Sequence, residues 1–385
     1  MNKLYDLKST GCVEINDEIW FPNMNFNALI KLEKLSGKIH VKDIFPNYDI
    51  AAYRLYSAVR RVNDQLVFVP YNSEDIISYN TTAGTFRSVD LDTKRIGERR
   101  NYFVASYVYK QYIYMFPWRA ECIVKYDTIN HSVKYLGESL HKILIDLPEN
   151  ENEGCFWQQF EILDDKIYIP FLGLGAVAIF DIKDDCLEIK YLNIEGGCST
   201  INYTDDYFYL SSAKTLKIYR WDRKTDKIEI FDSFPESLET DGYVFSYSYH
   251  INDKLLFFPA GSNPIISFDI RSGKMYKEQN FSSTYYIKKE KDKNLIIAED
   301  MNAPCVFDYE EENLRFNPYC KMDDAYNKKE INSFLLKHGY FDQVFERENQ
   351  KLNDYIKILI ESNDIKIAGK ECGYGKLVFD NVLMN

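Results

Sequence analysis

The sequence predicts an all-β fold in which seven four-stranded antiparallel sheets repeat around a ring, followed by a short helical appendage. A seventeen-residue phrase with two strand-like stretches occurs seven times without a gap, starting at residues 17, 64, 111, 165, 206, 253 and 292. Successive copies begin 39 to 54 residues apart, the spacing of four-stranded repeat units. The chain also contains 31 Tyr and 25 Phe among 385 residues, and aromatic side chains favour strands.

The second and third strands of each unit lie inside the repeated phrase, as in DKIYIPFLGLGAVAIFD at 165–181. A Pro ends the second strand in five copies, where a missing backbone donor is tolerated. The phrase closes on an acidic or amide residue in every copy: Glu33, Asn80, Asp127, Asp181, Asp222, Asp269 and Asp308. Such a side chain can accept hydrogen bonds from backbone amides just beyond it. We therefore predict that this column starts the turn to the fourth strand and has no catalytic role.

The first and fourth strands flank the phrase, for example YSAVRRV at 56–62 and KIEIFDS at 227–233. The central strands are apolar at successive positions, as in IYIPF at 167–171, and do not alternate strictly. This pattern predicts sheets buried on both faces. A single sheet cannot bury both faces, whereas sheets stacked in a ring cover one another.

With these repeats, the chain resembles the β-propeller superfamily, in the broad class of kelch-like and YVTN-like bacterial repeat proteins, over about residues 11–320. The resemblance implies a seven-bladed β-propeller. Kelch blades carry a Gly-Gly pair, which occurs here only at Gly196 and Gly197, and WD blades carry Trp-Asp, which closes the repeated phrase here only at Trp221 and Asp222. We assign no subfamily, and divide the chain into a propeller at 1–320 and a helical segment at 321–385.

The C-terminal segment is predicted to form two helices. Asn327 and Glu330 have the spacing of a capping box, and Ile331, Phe334 and Leu335 then keep helical spacing. A second amphipathic stretch runs from residue 344 to 360. We expect both helices to pack on the propeller; the alternative is an element for oligomerisation or partner docking.

The net charge of −12 and the pI near 5.1 argue against a nucleic-acid partner, because phosphate binding needs a basic patch. No apolar stretch is long enough for a signal peptide or a membrane span, so no membrane partner is predicted. Eight Cys form no C-x-x-C pair and five His show no metal-ligand spacing. These patterns predict a cytoplasmic protein with reduced thiols, without metal or cofactor and of undetermined oligomeric state.

One mouth of the central channel is the predicted ligand site, because loops of unequal length and charge meet there. The loop at 138–154 is long, and TKRIGERRNY at 93–102 is basic within an acidic chain. Aromatic rings beside Arg and amide groups suit carbohydrate-like, anionic or peptide ligands. The predicted ligand-binding residues are Tyr71, Arg99, Arg100, Trp118, Arg119, Trp157, Gln158 and Phe171. The alternative is that Trp118 and Trp157 are wedges between blades and that the basic cluster pairs with nearby acids.

The predicted function is a non-enzymatic scaffold that binds a small polar ligand, a protein or a peptide at this mouth. No nucleophile-elbow, P-loop or zinc-protease motif occurs in the chain. The alternative is a carbohydrate-active lyase, isomerase or hydrolase at the channel mouth, in which case Glu299, Asp300 and His250 are the first candidates for catalysis. His250 lies on an expected inner strand, where a packing role is the competing interpretation.

Overall fold

The computed structural model describes residues 7, 9, 11–137, 139–145, 154–235, 238, 242–260, 263–280, 284–290, 293–300, 303–310, 315–318 and 324–340. At 139, 144–145, 279–280, 284–318 and 324–325 this description covers at most the backbone.

Six four-stranded antiparallel sheets, here called blades 1 to 6, follow one another along the chain. In each blade the strands pair in chain order. The first strands of blades 2 and 3, and of blades 5 and 6, lie next to one another, and we call the first strand of each blade its inner strand. Blade 1 contains β1 (Val13–Ile15), β2 (Glu18–Pro22), β3 (Leu29–Glu33) and β4 (Ile39–Asp43). Blade 2 contains β5 (Tyr56–Val62), β6 (Gln65–Pro70), β7 (Asp75–Asn80) and β8 (Thr85–Asp90). Blade 3 contains β9 (Phe103–Tyr109), β10 (Tyr112–Pro117), β11 (Ile123–Asp127) and β12 (Ser132–Leu136).

The next three blades repeat this order. Blade 4 contains β13 (Glu161–Leu163), β14 (Lys166–Phe171), β15 (Ala176–Asp181) and β16 (Cys186–Tyr191). Blade 5 contains β17 (Cys198–Thr204), β18 (Tyr207–Ser212), β19 (Ile218–Asp222) and β20 (Ile228–Phe231). Blade 6 contains β21 (Phe245–Ile251), β22 (Lys254–Pro259), β23 (Pro264–Asp269) and β24 (Met275–Asn280). Four further strands pair in the same way: β25 (Thr284–Glu290), β26 (Lys293–Asp300), β27 (Ala303–Glu310) and β28 (Arg315–Pro318).

The repeated phrase coincides with the second and third strands of every blade, as predicted. The turn chemistry at its last position is also confirmed. Asp181 accepts backbone N–H hydrogen bonds from Lys183 and Asp184, at 2.9 and 3.2 Å. In blade 2, Asn80 does the same for Thr82 and Ala83. These bonds fix the tight turn from the third to the fourth strand.

Neighbouring blades bury aromatic side chains between their faces. The ring of Phe45 lies 4.7 Å from those of Tyr56 and Phe68, which joins the loop after blade 1 to blade 2. Tyr168 of blade 4 and Phe208 of blade 5 lie 4.5 Å apart. The central strands are buried on both faces, which explains why their apolar residues are consecutive.

Within the described ranges, three helices accompany the sheets: α1 (Thr93–Ile96), α2 (Ser139–Ile145) and α3 (Asp324–Lys337). The capping box predicted at Asn327 and Glu330 is wrong, because α3 begins three residues earlier, at Asp324. Asn327 instead binds blade 1: its Oδ1 accepts from the N–H of Ile39 at 2.8 Å, and its Nδ2 donates to the carbonyl of Gly37. Glu330 accepts from the N–H of Val41. The helix thus provides hydrogen-bond partners for backbone groups at the outer edge of blade 1.

The apolar side of α3 packs on blade 1. Ile331 and Leu335 are buried in one cluster with Phe21, Ile30 and Ile39. The second predicted helix, at 344–360, and the tail lie outside the described residues, so the helical domain at 321–385 stays a prediction. Within the described part of the chain, no helix combines the length and apolar character needed to cross a membrane.

Candidate functional site

The inner strands of blades 2, 3, 5 and 6 carry a β-bulge near their first residue, and two of these bulges shape the channel mouth. In blade 2 the pairing of Tyr56 and Ala58 with β6 skips Ser57. In blade 3 the corresponding shift skips Val104. A bulge leaves one residue outside the ladder and redirects its side chain. Ser57 and Val104 both line the cavity at this mouth.

That cavity has a volume of about 210 Å³. Its aromatic lining comes from four blades or the loops that lead into them: Tyr56, Tyr71, Trp118, Trp157 and Tyr243. Met24 from blade 1, Arg54, and Gln158 before blade 4 complete it with the two bulge residues. Residues far apart in sequence meet here because one end of several blades contributes to the same cavity.

The aromatic wall is held by direct contacts. The rings of Trp118 and Trp157 lie 5.4 Å apart, and those of Trp157 and Tyr243 lie 5.3 Å apart. The Nε1–H of Trp157 donates to the carbonyl of Ser246 in blade 6, which links two blades across the mouth. Gly154 packs against the indole of Trp118, since a Cβ there would lie 2.5 Å from the ring. The loop at this point therefore requires glycine.

Arg54 brings a positive charge to the same cavity. Its backbone has φ of 49°, a conformation uncommon for residues other than glycine. Its N–H donates to the carbonyl of Met24 at 2.7 Å, and its carbonyl accepts from the N–H of Asn72 at 3.2 Å. Its side chain forms no ion pair with any described residue. The charge of Arg54 is thus available to a ligand.

Tyr71 has a raised pKa, because burial disfavours the phenolate; the charges of Arg54 and Arg119 oppose this effect. Tyr71 therefore keeps its hydroxyl proton at neutral pH and can donate or accept a hydrogen bond.

The structure brings together four of the eight predicted ligand-binding residues: Tyr71, Trp118, Trp157 and Gln158 line the cavity. Arg119 lies close enough to Tyr71 to influence its pKa. Arg99 and Arg100 are exposed on the loop before blade 3, where Arg100 lies 3.9 Å from Glu74.

Phe171 does not line this cavity. It is fully buried in the core, 5.2 Å from the ring of Phe156. The second strand of blade 4 ends at Phe171. Its side chain packs in one cluster with Phe116 of blade 3, so it lies between two blades and not at the mouth.

Of the three candidates for catalysis, only His250 has a described side chain, and it lies away from the mouth. His250 lies next to the last residue of β21, at the far end from the mouth, and its Nε2 is 3.4 Å from Oγ1 of Thr204. Glu299 and Asp300 end β26, and their side chains lie outside the described residues. No cluster of three or more His, Cys, Asp or Glu that could hold a metal occurs among the residues the structure describes.

Sequence reasoning missed Glu161, an inner-strand carboxyl deeper in blade 4. Burial raises its pKa to about 7, although its carboxylate accepts hydrogen bonds from the N–H groups of Tyr203 and Ile162. Two residues earlier, Gln159 donates to the carbonyls of Ile201 and Ser248, at 2.6 and 2.8 Å. These polar groups lie between the inner strands of blades 4, 5 and 6. A single acidic residue on a short strand carried no signal that separated it from the other 58 acids.

No protein-family model matches this chain, and no curated protein matches its sequence. Its backbone is similar to solved β-propellers. An inactive virginiamycin B lyase from Staphylococcus aureus, solved with quinupristin, has a TM-score of 0.56 and 14% identity, covering 78% of this chain and 94% of that one. A streptogramin B lyase has a TM-score of 0.55 and 16% identity, covering 77% and 92%.

A chain from the mitotic checkpoint complex is also similar, with a TM-score of 0.53 and 12% identity over 78% of this chain and 86% of that one. At these identities the likeness shows the fold alone. The chain is therefore a β-propeller, an architecture found in lyases and in components of protein complexes.

Proposed function

We propose that this β-propeller is a non-enzymatic binding protein whose channel mouth holds a small polar ligand or a peptide through a flat or apolar group. The observation that carries the proposal is the aromatic cavity built by several blades, with Arg54 at its edge. Binding sites of this kind combine apolar walls with a few polar groups that orient the ligand. A carbohydrate-like ring, an anionic aromatic group or a peptide side chain meets these requirements.

The size of the cavity limits what enters it. A volume of about 210 Å³ is smaller than that of pockets for drug-sized molecules, so it accommodates one ring with a short substituent. A protein partner would satisfy the same site by inserting one aromatic or apolar side chain. The cross-blade bond from Trp157 and the contact of Gly154 with Trp118 preorganise the walls, which lowers the cost of binding.

The neutral probe 3-phenylpropanamide tests this proposal in ligand-observed NMR. We expect binding in the millimolar range, and a loss of about fivefold or more in affinity for Trp118→Leu, because ring contacts contribute about 0.5–1.5 kcal/mol beyond burial. Tyr191→Leu is the matched control, since Tyr191 is exposed on the outer strand of blade 4. Equal binding by all three proteins would contradict the proposal.

A second candidate function is a carbohydrate-active lyase, isomerase or hydrolase, and the observation that favours it is Glu161. A carboxyl with a pKa of about 7 exchanges a proton readily near neutrality. Release of nitrophenol from nitrophenyl glycosides by this protein, abolished by Glu161→Gln, would favour the enzyme over the binding protein.

The proposal also includes a seven-bladed ring and a cytoplasmic location. The pairing of β25 to β28 in the order of the other blades supports the blade number. Kelch-like and YVTN-like ancestry remains part of the proposal.

A further inference from the structure

A second cavity adjoins the aromatic one. It has a volume of about 570 Å³ and is lined mainly by the loop between blades 1 and 2, with residues from two neighbouring loops. Its polar lining includes Asn47, Asp49, Arg54, Asn72, Arg100 and Asn101. Arg54 lines both cavities, so they meet at this residue. We call this second cavity the outer recess.

The wall of the outer recess is held by a buried carboxylate. Asp75 is 2% exposed and accepts hydrogen bonds from Tyr48 Oη at 3.0 Å, Asn47 Nδ2 at 3.1 Å and Ser88 Oγ at 2.6 Å. It also accepts from Tyr56 Oη at 3.3 Å, and Tyr56 lines the aromatic cavity. One satisfied polar network therefore positions walls of both cavities.

The charges of the outer recess favour an anion. Arg54 has no ion-pair partner within the described residues, and Arg100 has only an exposed contact of 3.9 Å to Glu74. Among the lining residues Asp49 opposes them and leaves an excess of one positive charge. Two further carboxylates lie behind the lining and both are engaged: Glu74 faces Arg100, and Asp75 accepts the hydrogen bonds of Tyr48, Asn47 and Ser88. Arginine binds carboxylate and phosphate oxygens through two parallel hydrogen bonds.

We propose that the outer recess is an oxyanion subsite, so that the ligand of the mouth carries an aromatic ring joined by a short linker to a carboxylate or phosphate. The ring occupies the aromatic cavity and Arg54 binds the oxyanion where the two cavities meet. This inference rests on the proposed binding function of the mouth, and it adds the charge and the shape of the ligand.

Three probes of matched shape test the inference by NMR titration: 3-phenylpropanoate, 2-phenylethyl phosphate and the neutral 3-phenylpropanamide. We expect one or both anions to bind about five- to tenfold more tightly than the amide, with an advantage that shrinks as salt is added. Arg54→Gln should remove this advantage by lowering the ratio of anion affinity to amide affinity to about one, whereas Arg54→Lys should restore part of it. Arg100→Gln should give a smaller loss.

Arg99→Gln is the matched control, because Arg99 is an exposed neighbour of Arg100 that lines neither cavity. Equal affinity for the anions and the amide would overturn the oxyanion subsite. So would a loss of anion affinity in Arg99→Gln as large as that in Arg54→Gln. Either result would leave the mouth intact as a binding site. A different result, failure of Trp118→Leu to weaken the amide, would overturn the mouth itself.

Discussion

At the residue scale, Arg54 and Glu161 place opposite charges near the channel in very different surroundings. Arg54 is exposed and held in an uncommon backbone conformation by two hydrogen bonds, so its charge faces the mouth. Glu161 lies against the inner strand of blade 5, where burial holds its carboxyl partly protonated near pH 7. The channel therefore carries a permanent positive charge at its mouth and an acid of variable charge deeper inside.

The stability of the protein should depend on pH through Glu161. The folded state keeps this proton up to about pH 7, whereas the unfolded chain releases it near pH 4.5. The folded state therefore loses stability as the pH rises between these values, by at most about 3 kcal/mol. Glu161→Gln keeps a neutral side chain at all pH values. Between pH 5 and 8, we expect the free energy of unfolding, measured with urea, to fall less for this variant than for the wild type. An equal fall in both proteins would contradict the raised pKa.

At the element scale, the turn between the third and fourth strands depends on one acceptor oxygen. Asp269 accepts from the N–H and the hydroxyl of Ser272, at 2.7 and 2.8 Å. The backbone bond from Ser272 is the first cause of the lowered pKa of Asp269. Asn80 fills the same position in blade 2 with an amide. The turn therefore needs an acceptor more than it needs a charge.

Asp269→Ala should destabilise the protein by about 1 kcal/mol, because the Ser272 N–H loses its partner. Asp269→Asn should retain most of this stability, as Asn80 does naturally. The stabilisation of the wild type is present above about pH 4 and is lost as the pH falls through the lowered pKa of Asp269. Chemical unfolding at pH 7 and pH 3 measures both effects. A destabilisation of the Asn variant as large as that of the Ala variant would show that the charge matters instead.

The sequence predicts the turns and paired strands, but it does not predict where α3 begins. The turn residues and paired strands were predictable because local chemistry determines them, and Asp181 needs only the backbone N–H groups of Lys183 and Asp184. The start of α3 was not predictable from Asn327. Its amide is used by Gly37 and Ile39, nearly 290 residues away, and no local pattern reports such a contact.

At the scale of the whole molecule, the mouth is formed where residues from several blades and their connecting loops come together. Trp118 and Trp157 stood out as aromatic residues in loops of the repeat. Arg54 and Tyr243 were missed because they lie in connecting segments whose length and sequence differ from blade to blade. The bulges that bring Ser57 and Val104 to the cavity are also invisible in a strand-like pattern. The repeat thus predicted the architecture, and the loops between its strands provided four of the ten residues that line the cavity.

The most direct test of this account is a crystal structure of the full chain soaked with 3-phenylpropanoate. The account predicts blades arranged around one axis, with the phenyl ring between Tyr71, Trp118 and Tyr243 and the carboxylate within hydrogen-bond distance of Arg54. Inner strands that do not converge, or a probe bound elsewhere while the mouth holds only solvent, would contradict it.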